Sequence, residues 1–150
     1  MQYYVCGFMF SPDRKKVLLI NKTKPVWQAG KINGIGGKIE NQETPINAMV
    51  REFFEETGKE TIITNWEFVF SLSSYSNKYK VFFFRSFLGF ENTFDKTEET
   101  LTIENVKSLP SNVLNNLNWI VPMLLDEDVS HGIDIVNNND SEWLDIFRNE

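Results

Sequence analysis

Three glutamates crowd the stretch NAMVREFFEETGK: Glu52, Glu55 and Glu56. Like charges three and four residues apart on a helix repel by about 0.2–0.5 kcal/mol per pair. Carboxylates near a helix C-terminus also oppose its dipole. A cation among them reverses both effects. An all-oxygen donor set suits a hard divalent ion, Mg2+ or Mn2+; Mg2+ takes few carboxylates and fills its other positions with water and phosphate oxygens. The plainer alternative is a solvated acidic face on an amphipathic helix. Upstream, NGIGGKIE sets Gly34, Gly36 and Gly37 close together. Glycine lets backbone approach a ligand or take φ > 0, although Asn33-Gly34 alone reads as a hairpin turn. A glycine-rich loop leading straight into a carboxylate-lined helix points to a metal–phosphate site.

Such an arc exists only if a helix carries it. Thr44 is placed as an N-cap, Pro45 as the first helical residue, and Gly58 as the left-handed residue that ends the helix. Ile46, Met49, Val50, Phe53 and Thr57 recur at helical spacing and form one apolar face. The three glutamates fall beside that face, at the margin of a buried stripe. Around this helix the pattern predicts strands at 3–10 and 16–21, joined by the turn SPDRK, and further strands at 66–72 and 79–88. The last of these, YKVFFFRSFL, is nearly continuous in apolar and aromatic residues, as a strand buried on both faces is. TLTIENV at 100–106 alternates like a strand. Residues 110–126 read as a helix with Pro122 a kink or break. A short strand at 133–136 and a short helix at 140–148 complete the expectation. No repeat or linker divides the 150 residues, so one domain, 1–150, is expected.

Composition narrows the function classes. The formal charge is −6 and no basic run of five occurs, which argues against a nucleic-acid-binding surface. No stretch approaches 18 apolar residues and the start, MQYYVCGFMFS, lacks the basic region of a signal peptide. A cytoplasmic protein without membrane contact is the expectation. Cys6 is the sole cysteine, which leaves no disulfide framework and no thiolate zinc site. His131 is the sole histidine, and no Ser-His or Cys-His arrangement can be assembled around the glycine-rich segment, so covalent catalysis is not expected.

Taken together, Gly37, Glu43, Arg51-Glu52, Glu55-Glu56 and Gly58 resemble the Nudix box at each of its fixed positions. With each residue type at roughly 5–7% abundance, chance gives such a match on the order of once in 10⁸ start points. Composition therefore does not explain it. Phe53 and Lys59 stand where the box usually has aliphatic residues. The resemblance implies an α/β fold, an α/β/α sandwich with a mixed sheet, and a metal-dependent pyrophosphohydrolase using Mg2+ or Mn2+. It also implies that the Gly36 carbonyl and the carboxylates of Glu52, Glu55 and Glu56 hold the metal, with Arg51 paired to Glu43 and orienting them from behind. A further acidic residue recurs before a late strand in such proteins, and of Glu98 and Glu99 the second is chosen. Either Glu52 or Glu99 would serve as general base.

The segment VWQAGKINGIGGKIE is similar to the branch that hydrolyses oxidised-purine nucleoside triphosphates, where an Asn in the corresponding Asn-Gly element bonds the base. This implies a small nucleotide substrate, cleaved to monophosphate and pyrophosphate, with Asn33 reading the base. The acidic pair that reads the base in one subgroup falls near Asn116-Leu117 here. Trp27 and Trp119 could stack on a base or fill the core. Gly37 and Lys38 complete the substrate set. Two alternatives stand beside this reading. Tyr75 lies where dinucleoside polyphosphate hydrolases carry a Tyr, and some Nudix domains bind nucleotides without cleaving them.

Overall fold

The computed structural model describes residues 1–24, 26–129 and 131–137, without the side chain of Trp27. The helix expected at 140–148 lies outside the described residues. The fold is built on β1 (Gln2–Phe10), whose alternation is apolar on both sides: Tyr4, Cys6, Phe8 and Phe10 face one core, Val5 and Met9 the other. Such a strand belongs in the middle of a sheet. It pairs with parallel β6 (Tyr79–Ser86) from Gln2 to Met9. Its other edge is shared between two partners. β4 (Ile35–Lys38) takes Tyr4 to Gly7, and β2 (Lys16–Asn21) takes Met9 and Phe10, both antiparallel.

The sheet extends outward from these four strands. β3 (Ile32–Asn33) and β7 (Leu101–Asn105) pair antiparallel with β2, and β5 (Glu67–Ser74) pairs antiparallel with β6. β8 (Ile133–Asn137) closes the far edge, parallel to β5. Among the described residues the mixed sheet has eight strands and is covered on one face by α1 (Pro45–Thr57) and on the other by α2 (Leu117–Leu125). Ala48, Met49 and Phe53 of α1 pack on Val5, Met9, Ile35 and Trp66; Leu117, Ile120, Val121 and Leu124 of α2 pack on Phe8, Phe10, Phe70 and Phe83. This is the expected α/β/α sandwich. No helix among the described residues is long and apolar enough to cross a membrane.

Two expectations change. The helix expected over 110–126 begins only at Leu117. The backbone before it is committed elsewhere: Ile32 N–H donates to the Asn112 carbonyl and Leu114 N–H to the Ile32 carbonyl, both at 3.0 Å. Pro122 lies inside α2 without ending it. Asn33-Gly34, a hairpin signal by sequence, joins two strands that do not pair with each other; the chain steps there from β2 to β1.

Candidate active site

α1 forms as its caps direct. Thr44 Oγ1 accepts from Asn47 N–H at 3.3 Å, and Gly58, at φ 75°, donates its N–H to the Phe54 carbonyl at 2.9 Å. The buried stripe is Ala48, Met49, Phe53 and Thr57, with Ile46 and Val50 only half-buried. Glu52 lies at its edge and is just 8% exposed. Opposite runs β4, whose glycines are needed for close approach and not for positive φ. A Cβ on Gly36 would collide with the Val5 carbonyl, and one on Gly37 would lie 2.5 Å from Glu52 Oε1. The absent side chains make room for a strand on one side and a carboxylate on the other.

Arg51 organises the acidic residues around it. Its Nε and Nη2 donate to the two oxygens of Glu43 at 2.7 and 2.9 Å, and Nη2 also donates to the Lys38 carbonyl at 3.0 Å. Bidentate pairing of this kind fixes orientation as well as charge. Nη1 then reaches Glu52 Oε1 at 2.9 Å and Glu55 Oε2 at 3.2 Å. The guanidinium holds the Glu43 carboxyl below the usual range. For Glu52 burial outweighs Arg51, and its carboxyl is pushed up. Burial raises Glu56 as well, with Glu99 and Glu55 adding to it and Lys22 opposing. Glu56 Oε2 is buried and has no hydrogen-bond partner among the described residues.

Glu99 enters from the loop two residues before β7 and is 4% exposed, whereas its neighbour Glu98 is exposed. Its oxygens accept from Lys22 Nζ at 3.1 Å and from Thr23 N–H at 2.8 Å. Glu52, Glu55, Glu56 and Glu99 share a cleft of about 580 Å3 with Gly36, Gly37 and Lys38. Two further residues of that cleft, Lys22 and Lys24, escaped sequence reasoning. Their signal was the LysThrLys step directly after a strand, which supplies the positive charge that a net −6 chain needs for an anionic ligand. A larger groove of about 740 Å3 adjoins the cleft through Lys38 and Glu40, but Glu43, the other carboxylate lining it, is committed to Arg51. The four glutamates Glu52, Glu55, Glu56 and Glu99 converge on the smaller one.

The substrate set divides. Asn33 is buried and its Oδ1 accepts from Gly34 N–H at 2.7 Å. Asn116 is buried too, and neither its Oδ1 nor its Nδ2 has a partner among the described residues. Asn33 lies on β3, whose neighbour Ile32 contacts residues 112–114, and Asn116 stands at the N-cap position of α2, two residues after that segment; neither lines the carboxylate cleft. Trp119 is partly exposed on α2 with its ring 6.2 Å from Phe70, a core contact. The Trp27 side chain lies outside the described residues. Tyr75 is exposed at the β5–β6 turn, and His131 Nε2 lies 3.4 Å from Glu67; neither lines the cleft.

The donors present fit a divalent cation. A buried carboxylate oxygen without a partner, a carboxylate seated where only glycine leaves room, and an all-oxygen set are what a hard ion requires. Among the described residues no three His, Cys, Asp or Glu side chains are already spaced to enclose an ion. Arg51 and Lys22 occupy three of the four carboxylates. An open site completed by water and substrate oxygens needs no closed cage.

Residues 2–124 match the NUDIX domain family. No curated protein matches the chain. Among solved structures, a Nudix hydrolase from Nitrosomonas europaea superposes with a TM-score of 0.69 at 18% identity, over 91% of this chain and 79% of that one. A MutT protein from Bacillus halodurans gives 0.67 at 22% identity over 93% and 92%. A MutT/nudix family protein from Enterococcus faecalis gives 0.60 at 20% identity over 69% of this chain, which spans 43% of that longer protein. At these identities the likeness is one of fold.

Proposed function

The chain belongs to the Nudix hydrolase family, and on that footing we propose that it cleaves a purine nucleoside triphosphate, oxidised purines included, to monophosphate and pyrophosphate. Members of the family act on small nucleoside diphosphate-linked substrates and generally use divalent metal ions. Glu52, Glu55, Glu56, Glu99 and the Gly36 carbonyl would hold the ion. Bound there, it would activate water and neutralise phosphate charge. Arg51, fixed by Glu43, keeps the Glu52 and Glu55 carboxylates oriented. Lys22, Lys24 and Lys38 face the substrate's phosphate oxygens across the cleft. Glu52 or Glu99 accepts the proton of the attacking water. Burial raises the Glu52 carboxyl above its ordinary value.

The observation that carries the purine reading is Asn116. A buried amide lacking partners for both donor and acceptor costs roughly 1–3 kcal/mol per group. A purine edge presents an acceptor and a donor side by side and answers both. Asn33, next to the Ile32–Val113 bridge, supplies a second amide. A dinucleoside polyphosphate is the second reading, favoured by the groove beside the cleft, where Tyr3 is 45% exposed and could stack on another base. A Mg2+-dependent screen over nucleoside triphosphates, dinucleoside polyphosphates, NADH and ADP-ribose, with products identified, separates them. On the preferred purine, Asn116→Leu and Asn33→Ala should each lower kcat/KM roughly tenfold to a hundredfold, and much less on pyrimidines. Equal losses on every substrate would reduce both residues to structural roles.

A further inference from the structure

The stretch from Phe87 to Thr100 has no regular secondary structure, yet it delivers Glu99 to the cleft. Its far end is set by the sheet: Asn21 N–H donates to the Thr100 carbonyl at 2.8 Å. Its middle rests on the end of α1. Phe94 N–H donates to the Thr57 carbonyl at 2.9 Å, and the Phe94 ring lies where a side chain on Gly58 would be. Lys96 Nζ sits 3.7 Å from the centre of the Phe54 ring. The near end is held twice at Gly89, whose N–H donates to the Phe10 carbonyl at 3.2 Å and whose carbonyl accepts from Lys59 Nζ at 3.0 Å.

Lys59 is the unusual member of this set. It follows Gly58 at the position where the Nudix box has an aliphatic residue, and it is 9% exposed. Its ammonium is buried with one carbonyl as its hydrogen-bond partner among the described residues. Burial depresses its pKa, with Glu91 opposing. An aliphatic side chain would fill the same space without that desolvation cost. The contact that sets lysine apart is the one to Gly89.

We propose that Lys59 is a positioning residue: bonded to the Gly89 carbonyl, it clamps the 87–100 segment onto the C-terminal end of α1 and thereby sets where Glu99 stands relative to Glu56. The segment is tied to the sheet at both ends, through Phe10 and Asn21, and to the end of α1 through Phe94, Lys96 and Lys59. The helix that carries Glu52, Glu55 and Glu56 thus also steadies the arm that brings the fourth carboxylate. The inference rests on Glu99 acting in the site, and its test keeps the two apart.

Lys59→Met keeps the length and removes the ammonium; Lys59→Arg keeps a cation. For Lys59→Met the expectation is a melting temperature at or above the parent's, faster amide exchange across 90–99, and kcat lower by roughly tenfold to a hundredfold with KM little changed. Lys59→Arg should restore most of the exchange protection and of kcat. Parent-like exchange and kcat in Lys59→Met would overturn the clamp, as would a loss traced wholly to a lower melting temperature. Glu99→Gln, measured in parallel, separates the premises: parent-like turnover there overturns the role of Glu99, whereas inactive Glu99→Gln beside active Lys59→Met overturns the clamp alone. If Lys59→Met does not fold, Lys96→Met loosens the same segment from its exposed side and carries the same expectations.

Discussion

On one face of the sheet, α2 presents Leu117, Ile120, Val121 and Leu124, all buried, to Phe8, Phe10, Phe70 and Phe83. On the other, α1 presents Ala48, Met49 and Phe53, and beside them buries Glu52 and one oxygen of Glu56. Both helices are anchored by apolar contact. α1 surrenders part of its burial to charged groups that destabilise the fold, whereas on the α2 side Asn116, unpartnered among the described residues, lies just before the first turn. Desolvation outweighs Arg51 at Glu52, and Glu56 Oε2 has no partner among the described residues. The α2 face is arranged for stability, and the α1 face trades part of its stability for buried carboxylates, with the apolar contacts on both faces offsetting that cost.

If that contrast holds, mutations on the two faces part company. The largest effect is expected at Glu56. Glu56→Gln removes a buried charge but little packing, so turnover should fall roughly 10²–10³-fold while the melting temperature holds or rises. Glu55→Gln, at a more exposed residue already shared with Arg51, should cost less. Steady-state kinetics beside thermal melts check both, and near-parental turnover in Glu56→Gln would erase the contrast. On the opposite face, Leu124→Ala should cost about 2–5 kcal/mol of stability and leave the kcat of the folded fraction unchanged. Chemical denaturation with active-site-normalised kinetics would show it.

The smallest effect is a pH dependence. Burial raises Glu52 and Glu56 above the ordinary carboxylate value of 4.5. A carboxyl whose folded pKa exceeds its unfolded one binds more protons folded, so its contribution to metal-free stability falls as pH rises through that window. Glu43 and Glu67, both held low, act in the opposite sense and lend stability that is lost as pH falls. The comparison of parent with Glu56→Gln isolates one group: the parent should be relatively more stable in acid and lose that advantage toward neutrality. A constant difference from about pH 4 to pH 8 would show that Glu56 titrates normally.

How much of this was readable in advance follows the same division. α1 was legible almost to the residue, because Thr44, Pro45, the apolar stripe and Gly58 are local signals within one continuous stretch of chain. β1 and β2 were legible as a pair around the turn SPDRK and β6 from its nearly continuous apolar run, each within two residues of its ends. The start of α2 was not legible. It is set by hydrogen bonds between Ile32 and residues some eighty positions later, which no local pattern encodes. Asn33-Gly34 misled for the same reason, since partners distant in sequence decide which strand each half joins. In the site, the clustering of Glu52, Glu55 and Glu56 follows from helical spacing. The arrival of Lys22 and Glu99 at the same cleft depends on β2 pairing with β7. The bonds that Lys59 and Asn116 make or lack are properties of packing, not of sequence neighbours.

The central claim is that the α1 carboxylates are arranged to take up a divalent cation, and Mn2+ binding tests it without reference to substrate. Titration of the purified protein with Mn2+ at neutral pH, followed by electron paramagnetic resonance and thermal melts, should show saturable binding. At a hundredfold excess over Kd the folded state should gain about 2.7 kcal/mol. Glu56→Gln should lose most of the affinity and most of that gain while remaining folded. Equal Mn2+ affinity and equal stabilisation in parent and Glu56→Gln would contradict the account.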